Sequence, residues 1–212
     1  QRTLSVIGLT VSIIVSFLLL FTIQQNGIQT LNLGNWPAPF GITLVSDSLS
    51  ALLVTTTLII TLLVVLYSFY GLDEAREKHY YYPAILFMIT GINGAFTTGD
   101  IFNMFVFFEV FLMASYVLIG LGGEKVQLRE AIKYMIVNVV SSAIFVITVA
   151  YLYSIIGTLN MADISQKIAV IEQPGIITVI AILFLIVFGI KGAIFPLYFW
   201  LPSAYAAPPI PV

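Results

Sequence analysis

Two charged side chains stand where charge is costly to place. Glu109 is the one charged residue in residues 101–120, IFNMFVFFEVFLMASYVLIG, and Lys191 is the one charged residue in residues 175–201. At ~1.5 Å rise per residue, each stretch is long enough to cross the ~30 Å apolar core of a bilayer as a helix. A charge held at that depth costs at least about 2.5–3.5 kcal/mol on insertion scales, so an intramembrane ionisable residue is a candidate functional group by default. Neither residue has an opposite charge three or four positions away. No other apolar stretch has a central charge, so each is the other's natural partner. Proximity keeps both ionised. Separation raises the carboxyl pKa and lowers the ammonium pKa by desolvation. A pair of this kind can relay a proton, or it can be a buried salt bridge that only fixes helix packing.

Other residues have types and positions that would serve the pair. Tyr116 lies two turns beyond Glu109 on the same face, and Tyr198 two turns beyond Lys191. Pro196 cannot donate to the carbonyl of Gly192, and Gly189 and Gly192 flank the lysine, so a kink is expected there. Asn138, Ser141 and Ser142 fall on neighbouring turns of an uncharged stretch; they can hold water or make interhelical hydrogen bonds. Lys133 closes a hydrophilic run, residues 122–133, whose Lys125–Arg129 spacing suits a solvated face. Asp47 and Asp100 occupy helix N-cap positions, and His79 opens an aromatic, interfacial run.

The elements that must position these groups follow from composition. The chain has 212 residues, 60% hydrophobic and 8% charged, against about 25% charged in soluble domains. It is therefore an integral, all-α polytopic membrane protein. Six spans are expected, over residues 4–23, 48–70, 80–98, 101–121, 134–156 and 175–201. An uncharged loop is expected over residues 24–41. Residues 163–172 should form a helix along the membrane surface, capped by Asp163 and Gln166. Zero cysteines and a single histidine exclude disulfides, thiolate clusters and multi-histidine metal or haem sites on this chain. No cofactor is expected, and no cluster of oxygen ligands marks a sodium site. A net charge of −2 without a basic tract gives no reason to expect nucleic acid. The chain starts without methionine and stops in APPIPV, as a fragment of a longer protein would. Arg2, Arg76, Lys78, Lys125, Arg129 and Lys133 collect on one side and only Lys167 on the other, which places the first side, and the N-terminus, in the cytoplasm.

Several stretches resemble one known family: SDSLS at 46–50, GDIFNMFVFFEVFLMASYVLIG at 99–120, AIKY at 131–134 and KGAIFPLYFWLPSAYAAPP at 191–209. They are similar to the antiporter-like membrane subunits shared by respiratory complex I and the Mrp-type multisubunit Na+/H+ antiporters. The resemblance implies about fourteen helices in two inverted five-helix repeats, of which this chain would hold part of the first. It maps the family's proton-pathway glutamate onto Glu109 and its lysine onto Lys191. Complex I subunits usually read H-x-W-L-P-D-A-H after the lysine. Here Tyr198, Ser203 and Tyr205 stand at the differing positions, a form closer to the D subunits of the Mrp branch.

The resulting expectation is a proton-translocating subunit of a bacterial plasma-membrane Na+/H+ antiporter, a secondary transporter rather than an enzyme. It would work with other membrane subunits, with protons and Na+ as the transported ions. Two alternatives stay open: a proton-pumping subunit of an NADH:quinone oxidoreductase, and a structural subunit whose Glu109–Lys191 pair only fixes packing.

Overall fold

The computed structural model describes residues 1–171 and 174–212. The long helices are α1 (Arg2–Asn26), α2 (Ser48–Gly71), α4 (Tyr81–Thr97), α5 (Ile101–Ile119), α6 (Lys125–Ile156) and α8 (Pro174–Lys191). Short helices α3 (Glu74–Lys78), α7 (Met161–Ile168) and α9 (Leu201–Ala206) join or follow them. Among the described residues, four helices, α1, α2, α5 and α6, are long and apolar enough to cross a membrane. α8 is a shorter apolar helix, and α4, with 17 residues, is at the low end of spanning length.

Two of the helix starts follow from their capping residues. Asp47 Oδ1 accepts from the Ser50 amide at 2.8 Å while Ser50 Oγ accepts from the Asp47 amide at 2.9 Å, a reciprocal capping box that opens α2. Asp100 Oδ1 accepts from the Asn103 amide at 2.7 Å and opens α5. For α7 the expected cap is corrected. Asn160 Oδ1, three residues before Asp163, accepts from the amides of Ala162 and Asp163, and Asp163 instead pairs with Lys167 one turn on at 3.0 Å. The short helix therefore covers 161–168; residue 172 of the expected range lies outside the described residues.

Other boundaries also move. The uncharged loop at 24–41 contains a strand, β1 (Gln29–Asn32), which pairs antiparallel with β2 (Thr43–Ser46) just beyond the loop, in the register Gln29↔Ser46 to Asn32↔Thr43. β1 is nearly all exposed and shows no alternation of apolar and polar residues, so period-two patterning gave no sign of it. Single bridges Leu44↔Thr98 and Asp100↔Asn160 tie that end of the molecule together. The run at 122–133 is mostly helix: α6 starts at Lys125, with Glu124 N–H bonded to Gln127 Oε1 at 3.4 Å, and continues for 32 residues. At ~1.5 Å per residue this is well beyond the apolar thickness, so its first turns project past the hydrocarbon. The helix expected over 175–201 stops at Lys191.

Packing explains how α5 reaches its neighbours. A Cβ on Gly91 would lie 2.6 Å from the Phe111 amide nitrogen, and one on Gly94 would run into the Phe107 ring, so these glycines allow α4 and α5 to touch backbone to side chain. On its other face α5 meets α6 and α8 through phenylalanines. Phe145, fully buried, has the rings of Phe105, Phe108, Phe184 and Phe188 at 5.6–6.0 Å. A separate cluster of Val65, Tyr81, Tyr82 and Ile85 binds α2 to α4. The phenylalanine cluster borders the site.

Candidate proton-transfer site

Glu109 and Lys191 face one another across α6. No direct N···O approach of 4.0 Å or less joins them among the described residues. Ser142, on α6, stands between: its hydroxyl donates to Glu109 Oε1 and accepts from Lys191 Nζ at 3.1 Å. The expected direct pair is thus corrected to a hydroxyl-bridged one. Both charged residues are half-buried. Lys191 Nζ also lies 5.5 Å from the centroid of Phe108, within reach of its negative face.

The helix end at Lys191 has a local cause. The Ala193 amide donates to Ile190 O at 3.3 Å and the Ile194 amide to Gly189 O at 2.9 Å, with Ala193 at φ 51. Those two bonds form a Schellman closure, in which the left-handed residue turns the chain off the helix axis. Pro196 follows and cannot restore the ladder. The result is a full break where a kink was expected. It leaves Lys191 in the last turn, beside the negative end of the α8 dipole. Trp200 Nε1 then donates to Ile190 O at 3.0 Å, holding the broken segment against the end of α8.

The remaining predicted residues separate into those near the site and those away from it. Ser141 Oγ donates to Val187 O at 3.2 Å, binding α6 to α8 just beside the Ser142 bridge. Tyr116 lies on the Glu109 helix, and its hydroxyl is buried without a hydrogen-bond partner. Tyr198 is not brought in: it is 44% exposed and stacks on Phe195. Lys133 is apart as well, paired at 2.8 Å with Glu130. Glu130 belongs to the hydrophilic run at 122–133, where its position one residue from Arg129 allows no i,i+4 pair and marks no site. Its side chain is 2% exposed, and it accepts from Arg129 at 2.9 Å and from Lys133. The signal lay in the i,i+3 spacing of Glu130 and Lys133, a spacing that also places side chains together on a helix. Asp47 and Asp100 serve as caps, and His79 lies exposed at the end of α3 with its ring against Ala75 O.

The chain as a whole is similar to a known group of proteins. The profile of the family described as NADH:quinone oxidoreductase/Mrp antiporter, TM, matches residues 98–212, more than half the chain and all of the site. The chain belongs to this family. Among its curated relatives, the D subunit of the Na(+)/H(+) antiporter of Bacillus subtilis is 56% identical over 209 residues, covering 99% of this chain and 42% of the relative. Its counterpart from Alkalihalophilus pseudofirmus is 51% identical with the same coverage. The chain therefore spans about two fifths of the length of the relatives it matches. Among solved structures, the archaeal membrane-bound sulfane sulfur reductase superposes with a TM-score of 0.91 at 26% identity, over 99% of this chain and 43% of that one. The Mrp complex of Dietzia superposes at 0.86 and 29% identity, over 97% and 38%. The antiporter-like fold expected from the sequence is the fold observed.

Proposed function

We propose that this chain is part of the proton-translocating subunit of a multisubunit monovalent cation (Na+)/proton antiporter, and that Glu109, Ser142 and Lys191 form its relay. The observation that carries the reading is the Ser142 hydroxyl, donor to the acid and acceptor from the base. A proton leaves Lys191 Nζ for Ser142 Oγ as the serine proton passes to Glu109 Oε1. The serine stays neutral throughout, and the pair changes from ionised to neutral. Desolvation favours the neutral pair when the groups are apart, and mutual attraction favours the ionised pair when they close. A cation or proton that alters local hydration therefore moves the equilibrium. The identities with the two bacterial antiporter relatives support a setting among other membrane subunits in a bacterial plasma membrane. The gathering of basic residues at one end supports a cytoplasmic N-terminus.

The test is Lys191→Ala in the complete antiporter, measured as Na+-dependent proton movement in everted membrane vesicles. Loss of exchange with the complex still assembled is expected; full exchange defeats the reading. A second reading, a proton-pumping subunit of a respiratory complex, draws on the likeness to an archaeal respiratory membrane complex. Co-purification with flavin or Fe–S subunits would favour it. For the purely structural reading, Glu109→Lys combined with Lys191→Glu should restore both assembly and activity.

A further inference from the structure

A proton relay needs insulation as well as a path, because a leak on one side uncouples proton movement from the cation. The buried face of α6 shows where that insulation stands. It carries Asn138, Ser141, Ser142, Phe145 and Thr148 in succession, the spacing of one helical stripe. Four of the five are polar. Phe145 alone breaks the run, one turn beyond the Ser142 bridge.

The rings packed on Phe145 all lie on the same side of the relay. α5 and α8 run toward the end where the basic residues collect, and α6 runs away from it; Ile101, Ile156, Ile164 and Ile180 cluster toward the opposite, β1–β2 end. Phe105 and Phe108 precede Glu109, Phe184 and Phe188 precede Lys191, and Phe145 follows Ser142. Each therefore stands between the relay and the β1–β2 end. Val149 and Val187 complete a core in which they and Phe145 are at most 3% exposed. Phe188 is 37% exposed, so the closed part is the interior shared by α5, α6 and α8. Residues 101–108, 143–156 and 175–190 contain no Asp, Glu, Lys, Arg or His. Phenylalanine and valine side chains offer a proton neither donor nor acceptor, and apolar space among them stays dry. Polar groups resume on the far side: Thr148, ~9 Å along α6 from Ser142, and the Asp100 cap, ~13 Å along α5 from Glu109.

We propose that Phe145 and the four rings around it form a proton barrier, which closes the β1–β2 side of the Glu109–Ser142–Lys191 relay. The proposal deepens the relay reading given above and rests on it. Protons reach and leave the relay by its other faces, and a pH gradient alone drives none through this interior.

Phe145→Ser joins Ser142 to Thr148 by a further hydroxyl, whereas Phe145→Ala leaves an apolar cavity of nearly the same size, which stays dry. The complete antiporter is reconstituted in Na+-free proteoliposomes under a pH gradient, and proton flux per assembled complex is followed with an internal pH dye. Phe145→Ser should raise that flux at least about tenfold, a modest share of what a positioned proton-transfer group supplies. Phe145→Ala should match wild type. Equal flux in the two variants, high or low, overturns the proposal, since packing alone treats them alike. If Phe145→Ser does not assemble, Phe145→Tyr keeps the ring and adds a hydroxyl; a wild-type flux there overturns the proposal equally. Glu109→Gln separates the two levels. Added to Phe145→Ser it should remove the extra flux, and an undiminished flux means that the leak avoids the relay and the barrier reading fails. If Glu109→Gln alone exchanges normally, the relay reading fails; if it is inactive while Phe145→Ser stays tight, only the barrier falls.

Discussion

Two carboxylates on adjacent helices meet their lysines in opposite ways. Glu130, near the start of α6, touches its cations directly, Lys133 at 2.8 Å and Arg129 at 2.9 Å. Those cations are themselves 43% and 73% exposed, so the buried acid is neutralised by groups that remain partly hydrated. Glu109 is joined to its lysine, among the described residues, through the Ser142 hydroxyl. Direct contact in the first case holds the acid ionised and makes it a structural fixture. An interposed hydroxyl in the second weakens the attraction and supplies a group that can give and take a proton. The contrast lies in what stands between acid and base more than in which residues they are.

The largest effect that would break this contrast is at the bridged site. Glu109→Gln or Lys191→Ala should lower exchange by at least about a hundredfold, the low end of what a proton-transfer group contributes, with the complex still assembled. Ser142→Ala comes next. It removes the bridge and leaves Glu109 and Lys191 each short of a partner, a penalty of about 1–3 kcal/mol and so a slowing of roughly tenfold to a hundredfold. Ser142→Thr, which retains the hydroxyl, should recover most of the rate. If Ser142→Ala exchanges normally, the acid and base communicate by another route. Glu130→Gln should act in the other manner: less complex in the membrane, and near-normal exchange per complex that remains. Equal loss of turnover at Glu130 and Glu109 would erase the distinction between the two sites.

How much of this was legible beforehand depended on the range of the interaction. Glu109 and Lys191 stood out because a charge in hydrocarbon is anomalous whatever surrounds it. The caps at Asp47 and Asp100 were legible because they act within three residues. Ser142 was only one of three polar residues on neighbouring turns. Its role depends on how α6 is rotated against α5 and α8, which packing around Phe145 decides and no local pattern encodes. The break after Lys191 was half visible: Pro196 forbids one backbone bond, but the Schellman closure at Ala193 and the Trp200 tether are made by the folded segment itself. Glu130 was readable in principle, through its spacing to Lys133. Its burial was not, because it comes from the packing of α9 against α6.

The smallest expected effect sharpens the comparison from outside the membrane. Glu77 on α3 is a third carboxylate, in direct contact with Arg2 at 2.5 Å and accepting from the Tyr82 hydroxyl at 2.9 Å. The Arg2 guanidinium holds the Glu77 carboxyl below its ordinary range, with help from that hydroxyl. Because the folded-state value is depressed, the pair's contribution to stability is fully present above the unfolded carboxylate pKa. It is lost as pH falls through the lower, folded value. Arg2 is also partly exposed, so salt screens the pair and its contribution is small. Glu77→Gln should therefore flatten the loss of thermal stability on acidification slightly, measured as Tm of the detergent-solubilised complex between neutral and acidic pH. Its exchange rate at neutral pH should match wild type, since direct pairing, as at Glu130, holds structure and moves no proton. A fall in exchange there comparable with Ser142→Ala would mean that direct and bridged carboxylates do the same work.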